Sequence, residues 1–181
     1  MTGLARFNEL PVGAAREALA GCCSSGRWVD AVAVGRPYPS LAALLSASDA
    51  AVAALAEADL DEALAGHPRI GDQRLLRASS QDGDEWSAQE QAGVRVAGDD
   101  LLRELAAGNA EYERRFGHVY LVCATGRDAA ELLALLRERL GHSPEAEWRV
   151  VAAELAKINE IRLRKLLGVE TAGTEAPGVA P

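Results

Sequence analysis

Helical periodicity, punctuated by residues that start and stop helices, runs almost from one end of this chain to the other. It points to an all-α, bundle-like fold in a single compact domain. Composition agrees: hydrophobic residues make up 49% of the sequence but aromatics only 4%. A core built mainly from Ala, Leu and Val favours close-packed helices over a β-sandwich. At 181 residues a single domain can bury roughly 70% of its unfolded surface and needs neither disulfide nor metal to fold. We place that domain at residues 1–170. From Thr171 to Pro181 the chain is mostly Gly, Ala, Pro and Thr, too poor in apolar side chains to offset its ordering entropy, so a disordered tail is expected.

The punctuation gives the elements. A helix is expected from just after Pro11 to about Ala20, and a second through Trp28, Val29 and Val32, stopping before Gly35-Arg36-Pro37-Tyr38-Pro39. Ser40 opens a third, Ser48 or Asp49 caps another, and Asp59 to Ala65 forms a short one ended by Gly66. Periodicity is lost over the polar stretch from His67 to about Asp84, a length at which loops are often functional. It resumes at Ser87, breaks weakly near Gly98 and continues from about Asp99 to Gly117. Val119 to Ala124 reads as a short extended segment, with a buried helical turn as the alternative. Asp128 caps a leucine-rich helix, and Ser143-Pro144-Glu145 opens the last one, which runs to about Leu167.

Several classes of function are disfavoured. With 27 acidic against 19 basic side chains the net charge is -8, a field that repels phosphate backbones and anionic lipid, so neither nucleic acid nor membrane is an expected partner. No apolar run of about 18 residues and no signal-peptide pattern is present, so a cytoplasmic protein is expected. Cys22, Cys23 and Cys123 are odd in number and two are adjacent, which suits a reducing compartment. His67, His118 and His142 are scattered, with no Cys-x-x-Cys, His-x-x-x-His or phosphate-binding loop, so we expect no metal and no cofactor.

Three segments could carry chemistry. His67 precedes Pro68, which restrains its backbone and aims the imidazole. An imidazole titrating near 6.5 can exchange protons at physiological pH, although a histidine here could equally satisfy a nearby carbonyl. Ser87-Ala88-Gln89-Glu90-Gln91 has capping-box spacing. The same residues could instead face an anionic ligand at a helix N-terminus. In Tyr112 to Cys123 a charged helix end passes into an apolar stretch. Its unpaired backbone groups could recognise an amide-rich heterocycle, or it could be core with Arg115 capping the helix. Arg139, Glu147 and Arg162 are most simply helix-surface or interhelix ion pairs.

In order, His67-Pro68-Arg69-Ile70-Gly71, Ser87-x-x-Glu90-Gln91 and Arg115-Phe116-Gly117 resemble the 2-oxo-4-hydroxy-4-carboxy-5-ureidoimidazoline (OHCU) decarboxylases. The resemblance extends to Phe7-Asn8, Cys22-Cys23, Trp28, Arg36-Pro37, Arg139-Leu140, Glu147, Lys157-Ile158 and Arg162-Leu163. It implies about eight helices, a homodimer, and cofactor-free decarboxylation of the ureidoimidazoline to (S)-allantoin and CO2. His67 and Glu90 would be catalytic, His67 as general acid/base. Pro68, Ser87, Gln91, Arg115, Phe116, His118, Tyr120 and Val122 would contact substrate. Two positions depart from the family pattern: His118 stands where Phe is usual, and His142 where Asn is usual. A non-catalytic helical partner-binding protein and a hydrolase acting on a related cyclic ureide are the competing readings.

Overall fold

The computed structural model describes residues 2–71, 94 and 98–169. Among these are eight α-helices and no strand: α1 (Gly3–Glu9), α2 (Val12–Ala20), α3 (Gly26–Val34), α4 (Leu41–Ala53), α5 (Glu57–Ala65), α6 (Asp99–Phe116), α7 (Ala129–Arg139) and α8 (Pro144–Leu166). The tail expected from Thr171 to Pro181 and the helix expected at Ser87 lie outside the described residues.

The helix signals act as their chemistry dictates. Ser25, Ser40 and Ser143 each accept a hydrogen bond from the backbone N–H three residues on. Pro144 occupies the first turn of α8, where its missing N–H costs nothing. Asp128 and Glu131 form a reciprocal capping box at the start of α7. Gly117 ends α6 with φ of 82°, a conformation that a side chain would strain.

Two details differ from the sequence reading. The chain begins with α1, whose N-cap is Thr2 and whose one buried side chain is Phe7. Helix α4 runs through Ser48 and Asp49 without a break, because Leu44, Ser48 and Val52 share one buried stripe at four-residue spacing. Ser48 is therefore a buried helical residue whose carbonyl accepts from the Trp28 indole at 3.3 Å, and neither it nor Asp49 starts a helix.

Two hydrophobic clusters result. The first gathers α1 to α5 and the 23-residue α8 around Leu19, Trp28, Leu44, Leu155 and Leu163. The second lies between α6 and α7, around Leu105, Tyr112, Leu132 and Leu136, with Ile70 and Val94. Each fully buried leucine contributes about 1.5–3 kcal/mol. Residues 119–124 form no helix and run between the clusters. Val119, Leu121 and Cys123 belong to the first, Tyr120, Val122 and Ala124 to the second. That two-residue alternation is the signature of extended chain, as expected, here buried on both faces.

Candidate active site

Helix α5 ends at Gly66, and His67 follows with its N–H bonded to the Leu64 carbonyl at 2.9 Å. A Cβ on Gly66 would lie 1.9 Å from Ser24 Oγ. Glycine thus lets the turn after α2 press against the chain just before His67. His67, Pro68 and Ile70 face residues 120–125 and Ile158 across a hollow of about 20 Å³. In it, His67 Nε2 is buried and has no hydrogen-bond partner among the described residues.

Burial, reinforced by the nearby Arg162 guanidinium, pushes the His67 imidazole down from 6.5 to about 3. It is therefore neutral at physiological pH, a form able to accept a proton. Arg162 is buried on α8 and donates to the Cys22 carbonyl at 3.2 Å. One helical turn earlier, Asn159 is fully buried, its side-chain amide bonded to the Cys23 sulfur, while its amide oxygen has no hydrogen-bond partner among the described residues. Burial pushes the Cys23 thiol up, keeping it protonated.

The far wall is held by charged side chains. Arg139 of α7 donates to the Leu121 carbonyl at 2.6 Å, and Glu154 of α8 accepts from the Cys123 N–H at 2.8 Å. Arg139 is also bonded to Glu147, which accepts from the Tyr112 hydroxyl and lies 2.8 Å from His142 Nδ1. Burial alone would raise the Glu147 carboxyl, but bonds from Arg139 and Tyr112 outweigh it and hold it below the usual range. The Arg139 guanidinium sits 4.7 Å from the centre of the Tyr120 ring. Burial pushes the Tyr120 hydroxyl up to about 12.

The structure thus brings Pro68, Tyr120 and Val122 to His67. Arg115, Phe116 and His118 are not among the residues lining the hollow. Arg115 is exposed and donates to the His142 carbonyl at 3.0 Å. Phe116 packs on Tyr112 with ring centres 4.7 Å apart, and His118 is buried against Trp148 at 4.2 Å. Ser87, Glu90 and Gln91 lie outside the described residues. Arg162, read from sequence as an ion-pairing residue, is the addition. The available signal was its place on the α8 stripe that includes Leu155 and Ile158, since a charge on an apolar stripe is buried by its neighbours.

A larger hollow of about 330 Å³ lies between Arg69–Gly71 and α6. Its Arg69 and Glu113 neutralise each other in a two-point ion pair, and Asn109 holds the Ile70 carbonyl at 2.8 Å. The smaller hollow has the proton-exchanging group, and chemistry rather than size makes it the candidate site.

A family model described as OHCU decarboxylase matches residues 8–164. The chain is 30% identical over 145 residues to the uric acid degradation bifunctional protein TTL of Arabidopsis thaliana, covering 80% of this chain but only 45% of that protein. It is 31% identical over 136 residues to the Mus musculus 2-oxo-4-hydroxy-4-carboxy-5-ureidoimidazoline decarboxylase, covering 75% of this chain and 76% of that one. Among solved structures, an OHCU decarboxylase crystallised in the presence of (S)-allantoin superposes with a TM-score of 0.70 at 26% identity, covering 82% of this chain and 96% of that one. An (S)-allantoin synthase shares the fold, with a TM-score of 0.67 at 18% identity over 91% of this chain and 54% of that one.

Proposed function

The chain belongs to the OHCU decarboxylase family, and from that premise we propose that it converts 2-oxo-4-hydroxy-4-carboxy-5-ureidoimidazoline to (S)-allantoin and CO2. The observation that carries the reading is the neutral imidazole of His67, buried near Arg162 with no hydrogen-bond partner for Nε2 among the described residues. In the substrate, hydroxyl and carboxylate share one ring carbon next to a C=N bond. His67 takes the hydroxyl proton, the bond to CO2 breaks, and its electron pair moves through the ring onto the imine nitrogen, which takes up a proton from solvent. The ring is its own electron sink, so the reading calls for no cofactor. The enol-like intermediate then gains a proton on the neighbouring ureido-bearing carbon from protonated His67. Delivery from one face sets the S configuration.

The low basicity of the free imidazole suits the second half of this cycle. Imidazolium in this site is a strong acid, so protonation of carbon runs downhill. The substrate carboxylate supports the first half, because its negative charge offsets that of Arg162 and raises the imidazole's basicity while it is bound. After CO2 leaves, that support is gone. In the same reading Glu90 accepts N–H bonds from the substrate, Ser87 and Gln91 also contact it, and Pro68, Tyr120 and Val122 line the floor. Assembly as a homodimer and a cytoplasmic location belong to the same proposal. Among the described residues no single helix is long and apolar enough to cross a membrane.

The test is to generate the unstable intermediate from urate with the upstream enzymes and follow CO2 release and the chirality of allantoin. Acceleration with S product supports the reading. Decay at the uncatalysed rate to racemic product refutes it.

A further inference from the structure

The two peptide units that meet at Val122 are gripped by opposite charges. The carbonyl of Leu121 faces the Arg139 guanidinium, and the N–H of Cys123 faces the Glu154 carboxylate. All three of Arg139, Glu154 and Val122 are buried. Both units are trans, since Arg36-Pro37 is the one cis bond among the described residues. In a trans unit the carbonyl and the N–H point in opposite directions. The Val122 N–H therefore points away from Arg139, and the Val122 carbonyl away from Glu154. Val122 lines the hollow with His67, and among the described residues neither its N–H nor its carbonyl has a hydrogen-bond partner. Buried backbone groups are rarely left in that state.

The charges also change the strength of these groups. A cation bonded to the carbonyl of a peptide unit draws electron density from its N–H, making it a better donor. An anion bonded to the N–H enriches the carbonyl, making it a better acceptor. Arg139 acts on the unit that carries the Val122 N–H, and Glu154 on the unit that carries the Val122 carbonyl.

We propose that Arg139 and Glu154 are positioning residues that hold and polarise Val122 as a matched donor and acceptor for one N–H/C=O edge of a cyclic ureide. Neither touches the ligand; both act through the backbone between them. The inference rests on the decarboxylase reading for the identity of the ring.

The test compares Glu154→Leu, which removes the acceptor for Cys123, with Glu154→Gln, which keeps an acceptor without the charge. Three quantities are read: KM and kcat, the affinity for (S)-allantoin by calorimetry, and the backbone amide signals of Val122 and Cys123 during allantoin titration. For Glu154→Leu we expect KM and the allantoin Kd to rise about 10- to 100-fold, with kcat within about threefold and helical circular dichroism unchanged. Glu154→Gln should fall between it and wild type. In the wild type, the Val122 amide proton should move downfield as allantoin binds. If Glu154→Leu does not fold, Glu154→Gln and Arg139→Lys carry the test through the same three readouts.

A folded Glu154→Leu with wild-type KM and allantoin affinity overturns the proposal, as does a loss confined to melting temperature. Wild-type turnover with an indifferent Glu154 variant sinks only the positioning role. Absence of wild-type turnover sinks the decarboxylase reading, and if allantoin also fails to bind and move Val122, both fall.

Discussion

Two buried polar clusters border the 119–124 run, and they differ in whether their atoms are paired. Around Glu147, which is 0% exposed, the carboxylate is met by Arg139, Tyr112 and His142, and Arg139 also holds the Leu121 carbonyl. On the side of His67, the imidazole Nε2 and the amide oxygen of Asn159 have no hydrogen-bond partner among the described residues. A saturated network fixes the relative placement of α6, α7 and α8 and has little left to offer a ligand. An unsaturated one costs stability in the folded protein and recovers it when something binds. On the decarboxylase reading, the charged knot holds the helices and the 119–124 backbone in place, and His67 is the group left to exchange a proton.

The sharpest way to break the comparison is to remove the key group from each side. His67→Asn should lower kcat by about 10²- to 10⁴-fold while its urea midpoint stays near wild type, because Asn still hydrogen-bonds but cannot exchange a proton near neutral pH. Glu147→Leu should behave in the opposite sense. It leaves Arg139 buried without its carboxylate, which costs about 3–5 kcal/mol in chemical denaturation. If the His67 variant loses mainly stability, or the Glu147 variant loses only activity, the division of roles is wrong.

Acid pH should separate wild type from His67→Asn more gently. Burial holds His67 neutral in the folded state, while the unfolded chain takes up a proton near 6.5. The unfolded state thus binds more protons between about 3 and 6.5, so stability falls as pH drops through that window. The His67 contribution is fully present above 6.5. Urea midpoints measured against pH should decline more steeply for wild type than for His67→Asn, and parallel curves would show that the imidazole is not held neutral. The smallest expected effect belongs to the exposed pair Arg137–Glu104, which joins α6 and α7 outside the knot. Arg137→Ala should cost no more than about 1 kcal/mol, and a loss matching that of Glu147→Leu would erase the distinction between buried and exposed pairs.

Much of the fold was legible because its signals are local. Ser143-Pro144-Glu145, the Asp128/Glu131 box and Gly117 mark helix ends by chemistry that operates within one turn. Helix α1 was missed because seven residues with one buried side chain carry no periodicity. Ser48 misled because a serine inside a buried stripe and a serine at an N-cap look alike until the partner helix is known. At the site, His67-Pro68 was visible from its backbone restraint. The role of Arg162 was not, since its burial depends on the turn at Cys22 and on the packing of α8, both set by residues far away in sequence. Charges on the α8 stripe at Glu147, Glu154 and Arg162 were the available clue.

The most direct measurement is the optical purity of allantoin formed by wild type and by His67→Asn. Enzyme is supplied at concentrations where uncatalysed decay is negligible for the wild type. The account expects S product from wild type and largely racemic product from His67→Asn, with unchanged helical circular dichroism, because uncatalysed decay then overtakes the slowed enzyme. S allantoin formed by His67→Asn at the wild-type rate would contradict it, and would show that the proton reaching carbon comes from another group.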